Sequence, residues 1–332
     1  MERIKVCSSI ALDAICFIDK SKQHEADCYE PEDVTKEIAA FVSQLPPDFS
    51  EDSANRSMMC NILCAFSDNM ESAGLDELIE IFKKPDELDA AVRNKVWWFC
   101  HPILDGLKSG AGDEYVRKLE LLKQIDFEGQ YRERILPKIE DEISKIEKSL
   151  EGKDIDALFK NVARLKNRAA AESSTIYVSF FSAPISFALP NHSYLTHPGI
   201  STYGDVFSTT AHELMHGFAS PELTRLYLDY VSQDELLTRC HDKLFKYWQE
   251  GDEEEFVCAA EYALVHRAGY KRAGVMDFAK KKYGGTCPVS VMIFDFLSKE
   301  PELPNDYNRW LIELFKSGRM PTENIMEYIK AL

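Results

Sequence analysis

No run in this chain of 332 residues is apolar for long enough to span a bilayer, so a transmembrane helix is not expected. Positive charge is also short. Lys and Arg number 39 against 56 Asp and Glu, a formal net charge of -17, and such a chain is repelled by nucleic-acid phosphates and by anionic membrane surfaces. Neither is expected as a partner. Closely paired cysteines are missing as well. The nine stand at 7, 16, 28, 60, 64, 100, 240, 258 and 287, an odd number, and three residues separate Cys60 from Cys64 where a zinc knuckle or a redox motif would have two. Most have apolar neighbours, which predicts reduced thiols in the core of a cytoplasmic protein. At the amino terminus Asp13 interrupts the apolar stretch and no small-residue cleavage site follows, so an ordinary first helix is expected in place of a signal peptide.

What is present is an ordinary globular composition, 45% hydrophobic and sufficient for two domains or one large one. Residues 1–170 read as almost wholly helical. Apolar residues recur at three and four in 33–44, 55–66 and 75–83, and the charged stretch 113–150 carries a narrow stripe of Ile139, Ile143, Ile146 and Leu150. That stripe suits a bundle helix more simply than a partner-binding coiled coil. From Ser174 to Pro190 the chain turns rich in β-branched and aromatic residues and reads as two or three short strands, whose free edge could hold an extended peptide. Residues 191–199 read as a loop, with His192 and His197 at its surface. Helices are expected over 223–230, 234–248, 253–267, 289–297, 307–316 and 322–332. The fold class is therefore mostly α (α+β), with a helical domain over 1–170 and a second domain over 171–332.

The stretch 203–221 organises the second domain. It contains His212-Glu-Leu-Met-His216, and a four-residue offset on a helix stacks both imidazoles on one face, where they can bind one divalent metal, Zn2+. Glu213, one residue on, can act as general base toward a metal-activated water without being a ligand. The flanks Val206, Phe207, Ala211, Leu214, Met215, Phe218 and Ala219 make the helix apolar nearly all round, hence buried, and polar groups there need partners. Core histidines bonded to backbone are the plainer alternative. Catalytic zinc usually takes three protein ligands. No third histidine follows closely, which argues against the metzincin spacing. A carboxylate from the segment 252–267 is the remaining source, with Glu254, Glu255 and Glu261 as candidates. At 100° per residue Glu254 and Glu261 share one face with Val257, Cys258 and Val265, while Glu255 shares another with Ala259, Tyr262 and His266. The ordinary role of glutamates 253–255 would be to favour the positive end of the helix.

His212-Glu-Leu-Met-His-Gly-Phe218, with a β-rich stretch before it and an acidic helix after it, resembles the gluzincin metallopeptidases. Glu255-Phe-Val-Cys-Ala-Ala260 is similar to the third-ligand helix of lethal-factor-like members, which implies Glu255 as ligand and Cys258 as the small residue that lets two helices approach. His212 to Pro221 also resembles a group of uncharacterised gluzincin-like proteins, whose downstream pattern falls on Glu254-Glu-Phe-Val-Cys-Ala259 and implies Glu254. The order of candidates is Glu255, Glu254, Glu261. The Glu-x-x-x-Asp pairing of many gluzincins is absent, so no partner for the first histidine is identified. The resemblance covers 174–267 and implies a zincin-like zinc peptidase acting on a peptide or protein substrate. Tyr247, Tyr262 and His266 are candidates for a donor to the oxyanion, Tyr247 by its likeness to the lethal-factor arrangement. The rival class is a non-catalytic protein, either zinc-containing or a helical partner-binding module.

Overall fold

The chain opens on a strand, where a helix was expected. Side chains of Ile4-Lys-Val-Cys7 alternate between two faces, and the computed structural model, which describes residues 3–20, 32–50, 56–182, 186–203, 205–248, 251–268 and 275–332, has them as β1 (Ile4–Cys7). The helix α1 (Ile10–Lys20) starts only after Ser9, whose Oγ accepts from the Leu12 amide at 3.2 Å and so caps it. Four residues of alternation are too few to outweigh the apolar run behind them when read locally.

Contacts divide the chain into two compact units, Met1–Glu151 with Ser173–Val206, and Gly152–Glu172 with Phe207–Leu332. The division read from the sequence fell between 170 and 171. It fails because β1 pairs with β2 (Ser174–Val178) across the intervening helices, which binds the strand region to the amino-terminal part. Beyond β2, β3 (Phe187–Leu189) and β4 (Ser193–Thr196) complete a sheet of order β1-β2-β4-β3. β1, β2 and β4 run parallel, with Val6 opposite Ile176 and Ile176 opposite Tyr194, and β3 is antiparallel to β4. β4 lies inside the stretch read as a loop. The turn before it uses Asn191 and His192, both left-handed at φ 60° and 56°, the conformation of a tight hairpin connection. Helices and sheet of this unit share a core centred on the rings of Phe17, Phe41, Phe49, Phe127 and Phe181. Asp13, fully buried on α1, accepts from Tyr131 Oη and Ser179 Oγ, each at 2.6 Å, and from the Phe181 amide at 2.9 Å. The stripe on α2 (Leu136–Leu150) faces inward at Ile139 and Ile146, as expected of a bundle helix.

The second unit is helical throughout its described residues. It comprises α3 (Ile155–Leu165), α4 (Val206–Met215), α5 (Pro221–Val231), Glu235–Lys243 running on into Leu244–Trp248, α6 (Glu254–Arg267), the short helices Val275–Ala279 and Lys282–Gly285, α7 (Pro288–Lys299), α8 (Tyr307–Lys316) and Ile325–Ala331. The helices read from the sequence after Pro221 recur with ends shifted by at most three residues. Side-chain caps explain several starts: Ser220 Oγ accepts from Leu223 N, Asp234 from Leu236 N and Leu237 N, and Asp306 from Arg309 N. α6 is the centre of this unit. Every residue from Glu254 to Val265 is buried, with α7 packed along it. The protein is thus mostly helical with one small sheet, and no helix among the described residues is long and apolar enough to cross a membrane.

Candidate metal centre

α4 supplies His212, and His216 follows directly on its last residue, Met215. At one helical turn's separation their Nε2 atoms lie 3.3 Å apart. The helix ends at Met215, and the chain turns away just past His216, where Gly217 takes φ 79°, which a residue with a side chain adopts only at a cost. Lys166, just past α3, satisfies the carbonyls left over at that end: its Nζ donates to Leu214 O at 3.0 Å and to His216 O at 2.7 Å.

α6 supplies the carboxylate. Glu254 Oε1 is 3.4 Å from His212 Nε2 and Glu254 Oε2 is 3.8 Å from His216 Nε2. Donor atoms bonded to one tetrahedral zinc at about 2.0–2.2 Å stand about 3.3–3.5 Å from each other. The three groups therefore fit such an ion with little movement. His216 is the most open of them, 22% exposed against 9% for His212 and 1% for Glu254, so solvent reaches the centre from its side.

The other ring nitrogens fix which atoms face the centre. His212 Nδ1 lies 3.0 Å from Glu261 Oε2, and His216 Nδ1 faces Glu253 Oε2 at 3.5 Å. A carboxylate only accepts, so each Nδ1 carries the proton, and in a neutral imidazole Nε2 is then left with its lone pair. Burial lowers both imidazoles, but Glu254 beside His212 and Glu253 beside His216 outweigh it and raise them above the ordinary histidine value; once the rings are neutral, two lone pairs and a carboxylate converge on one point. Such carboxylate–histidine pairs are the usual support of metal-binding imidazoles. Glu261 is held in turn by Lys282 Nζ at 2.8 Å and by the Ser208 hydroxyl. Burial pushes its carboxyl up, but Lys282 and His212 outweigh that and bring it down to about 2. Glu253 accepts from three successive amides, Gly217 at 2.9 Å and Phe218 and Ala219 at 2.8 Å. Burial raises its carboxyl, and His216 with these amides more than offsets the rise. Burial likewise raises Glu254, and the His212 imidazole reverses this to hold it well below the carboxylate range.

No family model, curated protein or solved structure matches the chain. The chemistry of the donor set therefore stands on its own geometry.

That geometry puts Glu254, the second candidate read from the sequence, where Glu255 was expected. Glu255 turns away from the imidazoles: its Oε1 accepts from Tyr227 Oη at 3.0 Å and its Oε2 from the Ser290 amide at 2.7 Å, in the first turn of α7. Burial pushes it up to about 7 despite those donors. Glu254 takes the place beside the imidazoles, and Glu261 stands behind His212. Cys258, expected as a small spacer, points its Sγ at Glu254 Oε1 from 3.2 Å. Glu213 is buried at 8% exposure one residue from His212, and among the described residues no hydrogen bond engages its carboxylate. Burial raises its carboxyl above 4.5, against the opposing pull of His212 and His216. His266 is exposed in the last turn of α6, twelve residues past Glu254 and so about 18 Å along the axis, too far to serve the centre. Tyr262 packs on Phe294 with its ring 5.9 Å from Lys282 Nζ. The side chain of Tyr247 lies outside the described residues. Sequence reasoning missed the supporting work of Glu253, Lys166 and Lys282. Only Gly217, directly after the second histidine, was a readable sign of the turn that presents its amides to Glu253.

Proposed function

We propose that this chain is a gluzincin-type zinc metallopeptidase, with His212, His216 and Glu254 as metal ligands and Glu213 as general base. The observation that carries the reading is the convergence of two imidazole Nε2 atoms and one carboxylate at 3.3–3.8 Å, with both Nδ1 atoms turned to Glu261 and Glu253. The site is also rich in negative charge. Three carboxylates meet the two imidazoles and Lys282 sets one ammonium against them, a balance suited to a divalent cation. When bound, zinc supplies Lewis acidity toward a peptide carbonyl and toward water.

The chain's own residues supply the rest. Glu261 and Glu253 hold the imidazoles in one tautomer and one orientation. Glu213, unengaged and with its proton affinity raised by burial, can take a proton from water at the centre and pass it to the leaving amine. A zincin-like fold for the unit that holds the centre is part of this proposal, as is the cytoplasmic location, which the eight cysteines free among the described residues support. Elemental analysis tests the metal. One zinc per chain in the wild type and none in His212→Ala is expected. Screening peptide libraries tests the chemistry: Glu213→Gln should keep the zinc and lose hydrolysis, and an equally active Glu213→Gln would overturn the role given to Glu213.

A further inference from the structure

Given the metal centre proposed above, we infer that Cys258 is a fourth protein donor to it, which makes the site a thiophilic one and, in its resting state, a closed one. Two segments each offer donors four residues apart, His212 on α4 with His216 just past its end, and Glu254 and Cys258 on α6. The donor atoms of His212, Glu254 and Cys258 all lie within 4.8 Å of one another. Cys258 Sγ stands 3.2 Å from Glu254 Oε1, where sulfur and oxygen on one tetrahedral ion would stand about 3.5 Å apart, given metal–sulfur bonds of about 2.3 Å. The side chain is fully buried, and its Sγ meets the carboxylate of the centre away from bulk water.

Ion uptake at Cys258 breaks its S–H bond, releases the proton to solvent and forms the sulfur–metal bond. Four protein donors close a zinc site, whereas hydrolysis needs one position open. With sulfur bound the centre is therefore latent, and hydrolysis requires the thiol to leave. A sulfur donor also selects zinc, cobalt or cadmium over magnesium and calcium.

Loading the full-length protein with cobalt(II) chloride and recording its absorption spectrum tests the assignment. Expected are visible d–d bands from tetrahedral cobalt together with a thiolate-to-cobalt charge-transfer band in the near ultraviolet. Cys258→Ala should lose the charge-transfer band, keep the d–d bands and hydrolyse peptides faster than the wild type. A wild-type spectrum with d–d bands and no charge-transfer band overturns the fourth donor while leaving the three-ligand centre intact. So does a charge-transfer band that survives in Cys258→Ala. Failure to retain cobalt at all overturns the metal centre and this inference with it. Since the wild-type spectrum alone can refute the assignment, it does not depend on the variant's folding; Cys258→Ser serves as a second variant closer in size.

Discussion

Replacing Glu261 by Gln separates metal support from simple packing. The wild-type carboxylate meets His212 Nδ1 at 3.0 Å and Lys282 Nζ at 2.8 Å through Oε2, and the Ser208 hydroxyl through Oε1. A glutamine of the same shape keeps one oxygen for the first two partners and turns its amide toward Ser208, which can rotate to accept. The hydrogen bonds survive and the negative charge does not. Loss of a charged support behind a metal-binding imidazole weakens binding by about 10- to 100-fold, equivalent to about 1.4–2.7 kcal/mol. Stability falls for a different reason. Lys282, 18% exposed, is left without its counter-charge, and stranding a buried charge costs about 3 kcal/mol, the lower end of the range, because some water reaches it. Adding Lys282→Met to Glu261→Gln removes the stranded ammonium, so the double variant should recover most of the stability and none of the affinity. Zinc affinity is read by competition with a chromogenic chelator and stability by urea unfolding. Wild-type zinc affinity in Glu261→Gln alongside lowered stability would refute the reasoning and leave Glu261 as nothing more than the partner of Lys282.

Asp13→Ala should destabilise the protein by about 3 kcal/mol, since it strands the Tyr131, Ser179 and Phe181 donors, while zinc content stays unchanged; urea unfolding and elemental analysis check both halves. Burial raises the Asp13 carboxyl above 3.8 against the pull of Phe181, Ser179 and Tyr131, so the folded state prefers it protonated; relative to Asp13→Asn, the wild type should lose stability as pH climbs from 3.8 through the raised value, in unfolding curves taken across that range. Lys166→Met leaves the carbonyls of Leu214 and His216 without their charged donor and should cost about 1.5–3 kcal/mol with a parallel loss of zinc affinity, both measurable in the urea and chelator assays. Zinc at 100 times its dissociation constant should slow amide exchange at Gly217, Phe218 and Ala219 by about 100-fold, because these amides bond Glu253, which faces a ligand imidazole; unchanged exchange of a peptide over 216–220 would count against that coupling.

How far the centre was legible from sequence depends on which interactions are local. His212 and His216 could be paired on paper because the helical period alone brings them together, and the apolar flanks fixed the period. The third carboxylate could not be chosen that way. Glu254 and Glu255 differ by 100° around α6, and which of them faces α4 is decided by α7, whose first-turn amide at Ser290, with the Tyr227 hydroxyl, claims Glu255. Nothing in the string Glu253-Glu-Glu-Phe encodes that neighbour. The helical wheel did place Glu254, Cys258 and Glu261 on one face, and that part needed no tertiary knowledge. The strands show the same limit. β2 was readable from its β-branched and aromatic content, whereas β1 is stabilised as a strand by pairing Ile4 with Ser174 and Val6 with Ile176, a register invisible to any local window. The division into units followed β1 and was misplaced with it.

Glu253, Glu254, Glu255 and Glu261 also bear on why such a helix exists. Each carboxylate in a buried segment costs several kcal/mol unless it is paired, and apolar replacements of buried ion pairs are often neutral or stabilising. The four have distinct partners: three backbone amides for Glu253, the two imidazoles for Glu254, a phenol and an amide for Glu255, and an imidazole with Lys282 for Glu261. α7 lies against the same helix and is buried over most of its length with little more than Ser290 and Asp295 as polar content, so packing in this unit does not demand carboxylates. Glu255 can be explained as an anchor for α7. Glu254 and Glu261 are instead turned to α4 and its histidines. Apart from Lys282 and Ser208, which only hold Glu261 in place, the partners described for them are the imidazole nitrogens of α4 and the Cys258 thiol. A fold selected for stability alone could fill those two positions, and that of Lys282 with them, with apolar residues at little loss, and under the function proposed above the charge kept there is what a divalent ion between α4 and α6 would use.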